Sequence, residues 1–145
     1  MLKLLSAYAG LLLLAPVAVA ADAEANKAAV LAFHAALTDT KDFATAEKYL
    51  APDYKQHNPT LRDGAAGIKG LIDFFREKLP DARSEIKHVW TDGDYVILHV
   101  HFIGVAGTSG RAIADIYRMR DGKIAEHWDV VQDVPATAAN QNGMF

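Results

Sequence analysis

The sequence predicts an α+β fold in which three N-terminal helices pack on one face of a curved, mainly antiparallel sheet. Three observations carry this. Up to about residue 79 the apolar residues recur at three- and four-residue intervals, the period of a helix. From about residue 84 they alternate in twos, as on strands with one buried face. Between the strand-like runs stand Asp92-Gly93-Asp94 and Asp121-Gly122, which turn a chain tightly back on itself. Helices grouped first and strands grouped afterwards is the α+β order, not the alternating order of a parallel α/β sheet.

Taken in turn, the elements begin after a leader. Lys3 supplies a positive start, Leu11-Leu12-Leu13-Leu14 an apolar stretch, and Ala18-Val19-Ala20 a small-residue cleavage motif. Residues 1–20 therefore read as a secretory signal. Pro16 interrupts the apolar stretch, which falls short of the ~20 residues a spanning helix needs. Cleavage after Ala20 would leave residues 21–145 as one domain, periplasmic or secreted and free of the membrane. Helix one is expected over residues 24–39, where Val30, Phe33, His34 and Leu37 share a face among alanines. Phe43, Ala46, Glu47 and Leu50 suggest a short second helix that stops at Ala51-Pro52. A brief extended piece at residues 54–59 ends in the Asn58-Pro59 turn. Ile68, Leu71, Ile72, Phe75 and Leu79 make the stripe of a third helix, capped by Asp63 and ended by Pro80. Four strands follow, over residues 84–91, 95–105, 111–120 and 123–132, with a loose glycine-bearing connection at 104–110.

Composition removes several function classes. The net charge is −3, with no Lys/Arg run and no basic-aromatic interleaving, so nucleic acid is not an expected partner. The absence of cysteine excludes disulfides, thiol catalysis and thiolate metal sites.

The strand segments carry ionisable groups inside apolar alternation. Side chains two apart on a strand share a face, so His99 goes with His101 and His127 with Asp129. If neighbouring strands bring these faces together with Asp115, three imidazoles and two carboxylates converge, a cluster costly to bury without a use. Asp115 lies between Ile113 and Tyr117 on its own face, and desolvation is expected to raise its pKa toward a range useful for proton transfer. The plain alternative is an ion pair with Arg111 or Lys123. The H-x-H pair is also a known metal-ligand spacing, and His99, His101 and His127 form the alternative metal set. Lacking a tight motif such as H-E-x-x-H, the expectation is no metal and no cofactor. His34, alone on an apolar helix face, is expected in the core or at a pocket rim.

The Gln56-His57-Asn58-Pro59 turn, the hairpin from Asp115 to Ile124, the Glu126-His127-Trp128-Asp129 strand and the order of elements together resemble SnoaL-like proteins. These belong to the nuclear transport factor 2-like superfamily. The resemblance covers nearly all of the chain after the leader. It implies a cone in which a strongly curved sheet wraps the helices around one deep pocket. It also implies an acid/base role for Asp115, at the place where polyketide cyclases of this kind carry the carboxylate for aldol ring closure. Where the similarly folded ketosteroid isomerases carry a tyrosine and a carboxylate, this chain has Phe33 and Asn58, neither of which transfers a proton.

The functional expectation is a cofactor-independent lyase or isomerase, of aldol or enolisation type, acting on a hydrophobic carbonyl compound. Asp115 would move the proton while His101 and His127 stabilise the enolate oxygen. His57, Asn58, His99, Asp129, Phe33 and Trp90 would contact the substrate. The alternatives are a non-catalytic periplasmic ligand-binding module and a histidine-rich, metal-assisted hydrolase. A back face carrying Leu98, Val100, Phe102, Ile116 and Trp128 would expose apolar area, so a homodimer is expected through that face.

Overall fold

The computed structural model describes residues 15–145, with side chains from Asp22 onward. The apolar part of the expected leader, up to Leu14, lies outside the described residues. Helix α1 (Ala15–Thr38) passes through Ala18-Val19-Ala20 and buries Val30, Phe33, His34 and Leu37, the row that helical spacing predicts. Helix α2 (Phe43–Ala46) starts on Asp42, whose carboxylate accepts from Ala44 N at 3.0 Å and from Thr45 Oγ1 at 2.6 Å. It tightens into a 3-10 turn at Glu47–Tyr49.

Strand β1 (Leu50–Gln56) then begins four residues before the expected extended piece, with Pro52 inside it. A proline is tolerated there because β1 is an edge strand and its ladder with β5 is broken between Leu50 and Lys55. Helix α3 (Gly64–Lys78) is capped by Asp63, which accepts from Gly64 N and, at 2.8 Å, from Gln56 N. Strands β2 (Arg83–Asp92), β3 (Tyr95–Ile103), β4 (Arg111–Arg120) and β5 (Lys123–Asp133) fall within a few residues of the predicted runs. Asp121 and Gly122 both adopt left-handed φ values, 52° and 71°, as a two-residue hairpin requires.

The sheet order is β1-β5-β4-β3-β2, antiparallel except for the parallel β1–β5 pair. Its inner face packs Val96, Leu98, Val100, Tyr117, Met119 and Ile124 against Val30, Phe33, Ile68 and Ile72 of the helices. Among the described residues no helix is long and apolar enough to cross a membrane.

The register corrects one expectation. Leu98 stands opposite Asp115, and Asp115 opposite Asp129, so these three share the inner face. Leu98, Val100 and Phe102 therefore fill the core rather than the back of the sheet. A strand displaced by one residue reverses every side chain, and burying three large apolar groups outweighs burying two histidines. The outer face carries Ile97, His99, Ile116, Trp128 and Val130 instead, with Val130 67 % and Trp90 52 % exposed.

Candidate functional site

A cavity of about 600 Å³ opens between α1, α3 and the inner face of the sheet. Leu71, Phe75, Phe102 and Ile113 give it apolar walls, and Asp115, His127, His34, Gln56, Asn58 and Asp129 a polar side. Phe33 lines the cavity, set edge-on to Tyr117 with the ring centres 6.0 Å apart.

Asp115 sits in the middle of β4 and is 6 % exposed. Its Oδ1 lies 2.9 Å from His127 Nε2 and its Oδ2 3.3 Å from His34 Nε2. Two elements far apart in the chain supply these imidazoles: β5 at the position paired with Tyr117, and the buried stripe of α1. Burial alone would push the Asp115 carboxyl up. The hydrogen bonds from His127 and His34 outweigh it and hold the group at about 2, below its ordinary value of 3.8. The expected upward shift is thus reversed, because the carboxylate is desolvated among proton donors and not among apolar groups alone. Neither Arg111 nor Lys123 reaches it: Arg111 pairs with Asp133 at 3.1 Å, and Lys123 donates to the Lys48 carbonyl.

Around this centre lies a set of further hydrogen bonds. His127 Nδ1 faces Gln56 Oε1 at 3.1 Å, Gln56 Nε2 donates to the Tyr54 hydroxyl at 2.9 Å, and the His127 ring stacks on Tyr117 at 4.7 Å. Burial pushes both tyrosine hydroxyls up, so each stays protonated. Asp129 accepts from Asn58 Nδ2 at 2.8 and 2.7 Å, while Asn58 Oδ1 accepts from Thr60 N and Oγ1. Asn58 therefore spends its amide on holding Asp129 and turning the chain, and is not left free to bind a substrate carbonyl.

Four predicted site residues lie elsewhere. His101 and His99 point to the outer face, where His101 Nε2 bonds the Ser109 carbonyl at 2.9 Å and both rings pack on Phe145. His101 cannot stabilise an enolate formed at Asp115. His57 lies outside the cavity, stacked on Trp128 at 4.4 Å and bonded to Glu126 at 2.9 Å. Trp90 is an exposed outer-face residue stacked on His88. The metal set of His99, His101 and His127 does not assemble, because the sheet separates its members. Ligand atoms of Asp115, His127 and Asp129 do lie within 4.8 Å of one another, each already engaged by the protein partners above.

The residues that sequence reasoning missed are His34 as a partner of Asp115, and Gln56 behind His127. A histidine placed in an apolar helix stripe was the available signal for the first. For Gln56 there was only its place in the turn before Asn58.

The family model for SnoaL-like polyketide cyclases matches residues 28–140. The chain belongs to that family. Among solved structures, TsrD from Streptomyces laurentii is 22 % identical with a TM-score of 0.64, covering 74 % of this chain and 88 % of that one. A candidate polyketide cyclase from Bacillus cereus ATCC 10987 is 22 % identical, TM-score 0.66, covering 74 % of each chain. An NTF2-like protein of unknown function from Cytophaga hutchinsonii is 21 % identical, TM-score 0.59, covering 74 % of this chain and 89 % of that one. At these identities the likeness establishes the fold, the nuclear transport factor 2-like cone. No curated protein matches the sequence. Family membership marks the cavity of this SnoaL-like chain as a small-molecule pocket of the cyclase or isomerase kind.

Proposed function

We propose that this chain is a cofactor-independent acid/base enzyme that enolises, and then closes or rearranges, a hydrophobic carbonyl compound. The observation that carries this reading is Asp115: a buried carboxylate on the wall of an apolar cavity, bonded to two imidazoles. Asp115 takes the proton from the carbon beside the carbonyl, and the electron pair moves to the carbonyl oxygen. His127 and His34, in place of the outward-facing His101, supply the nearby N–H groups. A carboxylate held below its ordinary range by two imidazoles is a weaker base, which favours a substrate carbon acidified by flanking carbonyls.

The test is proton exchange. A panel of hydrophobic 1,3-dicarbonyl compounds in D2O is expected to include members whose central carbon exchanges faster with the protein than in buffer, in a saturable manner, when followed by NMR. Saturable binding without acceleration across the panel would instead favour a non-catalytic binding module, a reading that the already satisfied hydrogen bonds of Asp115 also support.

The same proposal includes a homodimer, supported by the apolar outer face of Ile97, Ile116, Trp128 and Val130. Val130→Asp is expected to convert a dimer to a monomer in sedimentation velocity, and a wild-type monomer at high concentration would refute it. Export is proposed from residues 1–20. The intact mass of protein purified from its own host is then expected to correspond to a chain beginning at Ala21.

A further inference from the structure

We infer that Gln56 sets the tautomer of His127 and thereby makes the Asp115–His127 pair hold a transferable proton. The backbone N–H of Asn58 donates to Gln56 Oε1 at 2.9 Å, so the atom at that place must be the oxygen of the amide. Gln56 Nε2 accordingly points the other way, donating to the Tyr54 hydroxyl. The oxygen that receives the Asn58 N–H is also the one 3.1 Å from His127 Nδ1. An amide oxygen only accepts, so Nδ1 carries a proton.

In a neutral imidazole Nε2 would then be a bare acceptor. It lies 2.9 Å from Asp115 Oδ1, another acceptor when the carboxyl is ionised. Two lone pairs do not bond, so a further proton lies between them. An imidazole is ordinarily a stronger base than a carboxylate, so that proton is placed on the Nε2 side of the contact. His34 is under no such constraint. Its Nε2–H satisfies Oδ2 with the ring neutral.

The consequence for chemistry rests on the function proposed above. Asp115 takes a proton from the carbon, the electron pair left behind forms a new carbon–carbon bond to a second carbonyl carbon, and as that carbonyl's π bond breaks the stored Nε2 proton goes to its oxygen. The proton on Asp115 then passes to Nε2, restoring the pair with nothing consumed. Gln56 touches no reacting atom in this scheme and acts as a positioning residue.

The experiment is nitrogen-15 NMR of the histidine rings in the full chain, which distinguishes bare from protonated ring nitrogens without reference to any substrate. Wild-type His127 is expected to show Nδ1 protonated at neutral pH. Gln56→Leu removes the acceptor, and the Nδ1 proton is expected to be lost, leaving a single proton on Nε2 that is donated to Asp115. Gln56→Glu keeps an acceptor oxygen at the same place and is expected to restore the wild-type spectrum. If Gln56→Leu fails to fold, wild type and Gln56→Glu still decide the matter. A bare Nδ1 in either, or an Nδ1 proton indifferent to Gln56→Leu, overturns the inference. Where exchange activity is present, Gln56→Leu is expected to lower it about 10²-fold, short of the ~10⁴-fold that a wrong tautomer costs a Ser-His-Asp triad. Absent activity with the expected spectrum would count against the proposed function and leave the tautomer assignment standing.

Discussion

Asp115→Asn is expected to reduce protein-catalysed proton exchange by about 10²- to 10⁴-fold, the usual worth of a general base, while leaving the fold intact. The fold should tolerate the change because an amide fits the two imidazoles as they stand. The side-chain oxygen can accept from His34 Nε2–H, and the nitrogen can donate to His127 Nε2, which is bare once the stored proton is gone. Asp115→Leu is a different matter, since both buried imidazoles would lose their partner at a cost of about 1–3 kcal/mol each. The acid limb of stability offers a second readout. Asp115 is held at about 2 against an ordinary 3.8. Its folded-state pKa is depressed, so the stabilisation is present above the ordinary value and disappears as the pH falls through the folded one. The contribution is of order 2 kcal/mol, lost between about pH 4 and pH 2. Urea midpoints across this range should fall in the wild type and fall less in Asp115→Asn. Exchange at the wild-type rate in the Asn variant would end the assignment of Asp115 as the base.

Gly67→Ala is expected to destabilise the domain by about 3 kcal/mol, lowering the melting temperature by roughly 10 °C. Gly67 is buried in the first turns of α3, and a Cβ there would stand 1.8 Å from the Arg62 carbonyl oxygen. The clash is with backbone, which no rotamer change relieves. Residues Asn58, Thr60, Leu61 and Arg62 line the cavity, so displacing this segment should also disturb the Asn58–Asp129 bonds and weaken ligand binding. Gly70→Ala, one turn further along the same helix, is the control: nothing lies within 4 Å of its Cβ position. There the better helix former should stabilise by up to about 1 kcal/mol. Equal melting temperatures for the two variants would show that the Arg62 carbonyl can move aside at no cost.

Much of this arrangement was legible in the chain. Hairpin turns at Asp92-Gly93-Asp94 and Asp121-Gly122 delimited the strands because few other residues accept left-handed backbone there. The stripe from Ile68 to Phe75, with Asp63 before it and Pro80 after, marked α3 at both ends. Asp115 stood out as a carboxyl in an apolar alternation, and it is the residue at the centre of the site. The start of β1 was obscured because Pro52 reads as a helix stop, and only an edge position in a sheet makes a proline acceptable within a strand.

What the sequence determined by itself was which residues of one strand travel together, since the two-residue period ties His99 to His101 and His127 to Asp129 wherever the strand goes. It could not decide which pair shares a face with Asp115. That choice belongs to the register between strands, and the register follows from the burial of Val96, Leu98, Val100 and Phe102 beneath the helices. The same tertiary packing carries His34 from α1 to Asp115, eighty-one residues away in the chain, and places Gln56 behind His127. Local periodicity contains no information about such distances, because hydrogen bonds across the cavity exist only after the sheet has closed over the helices.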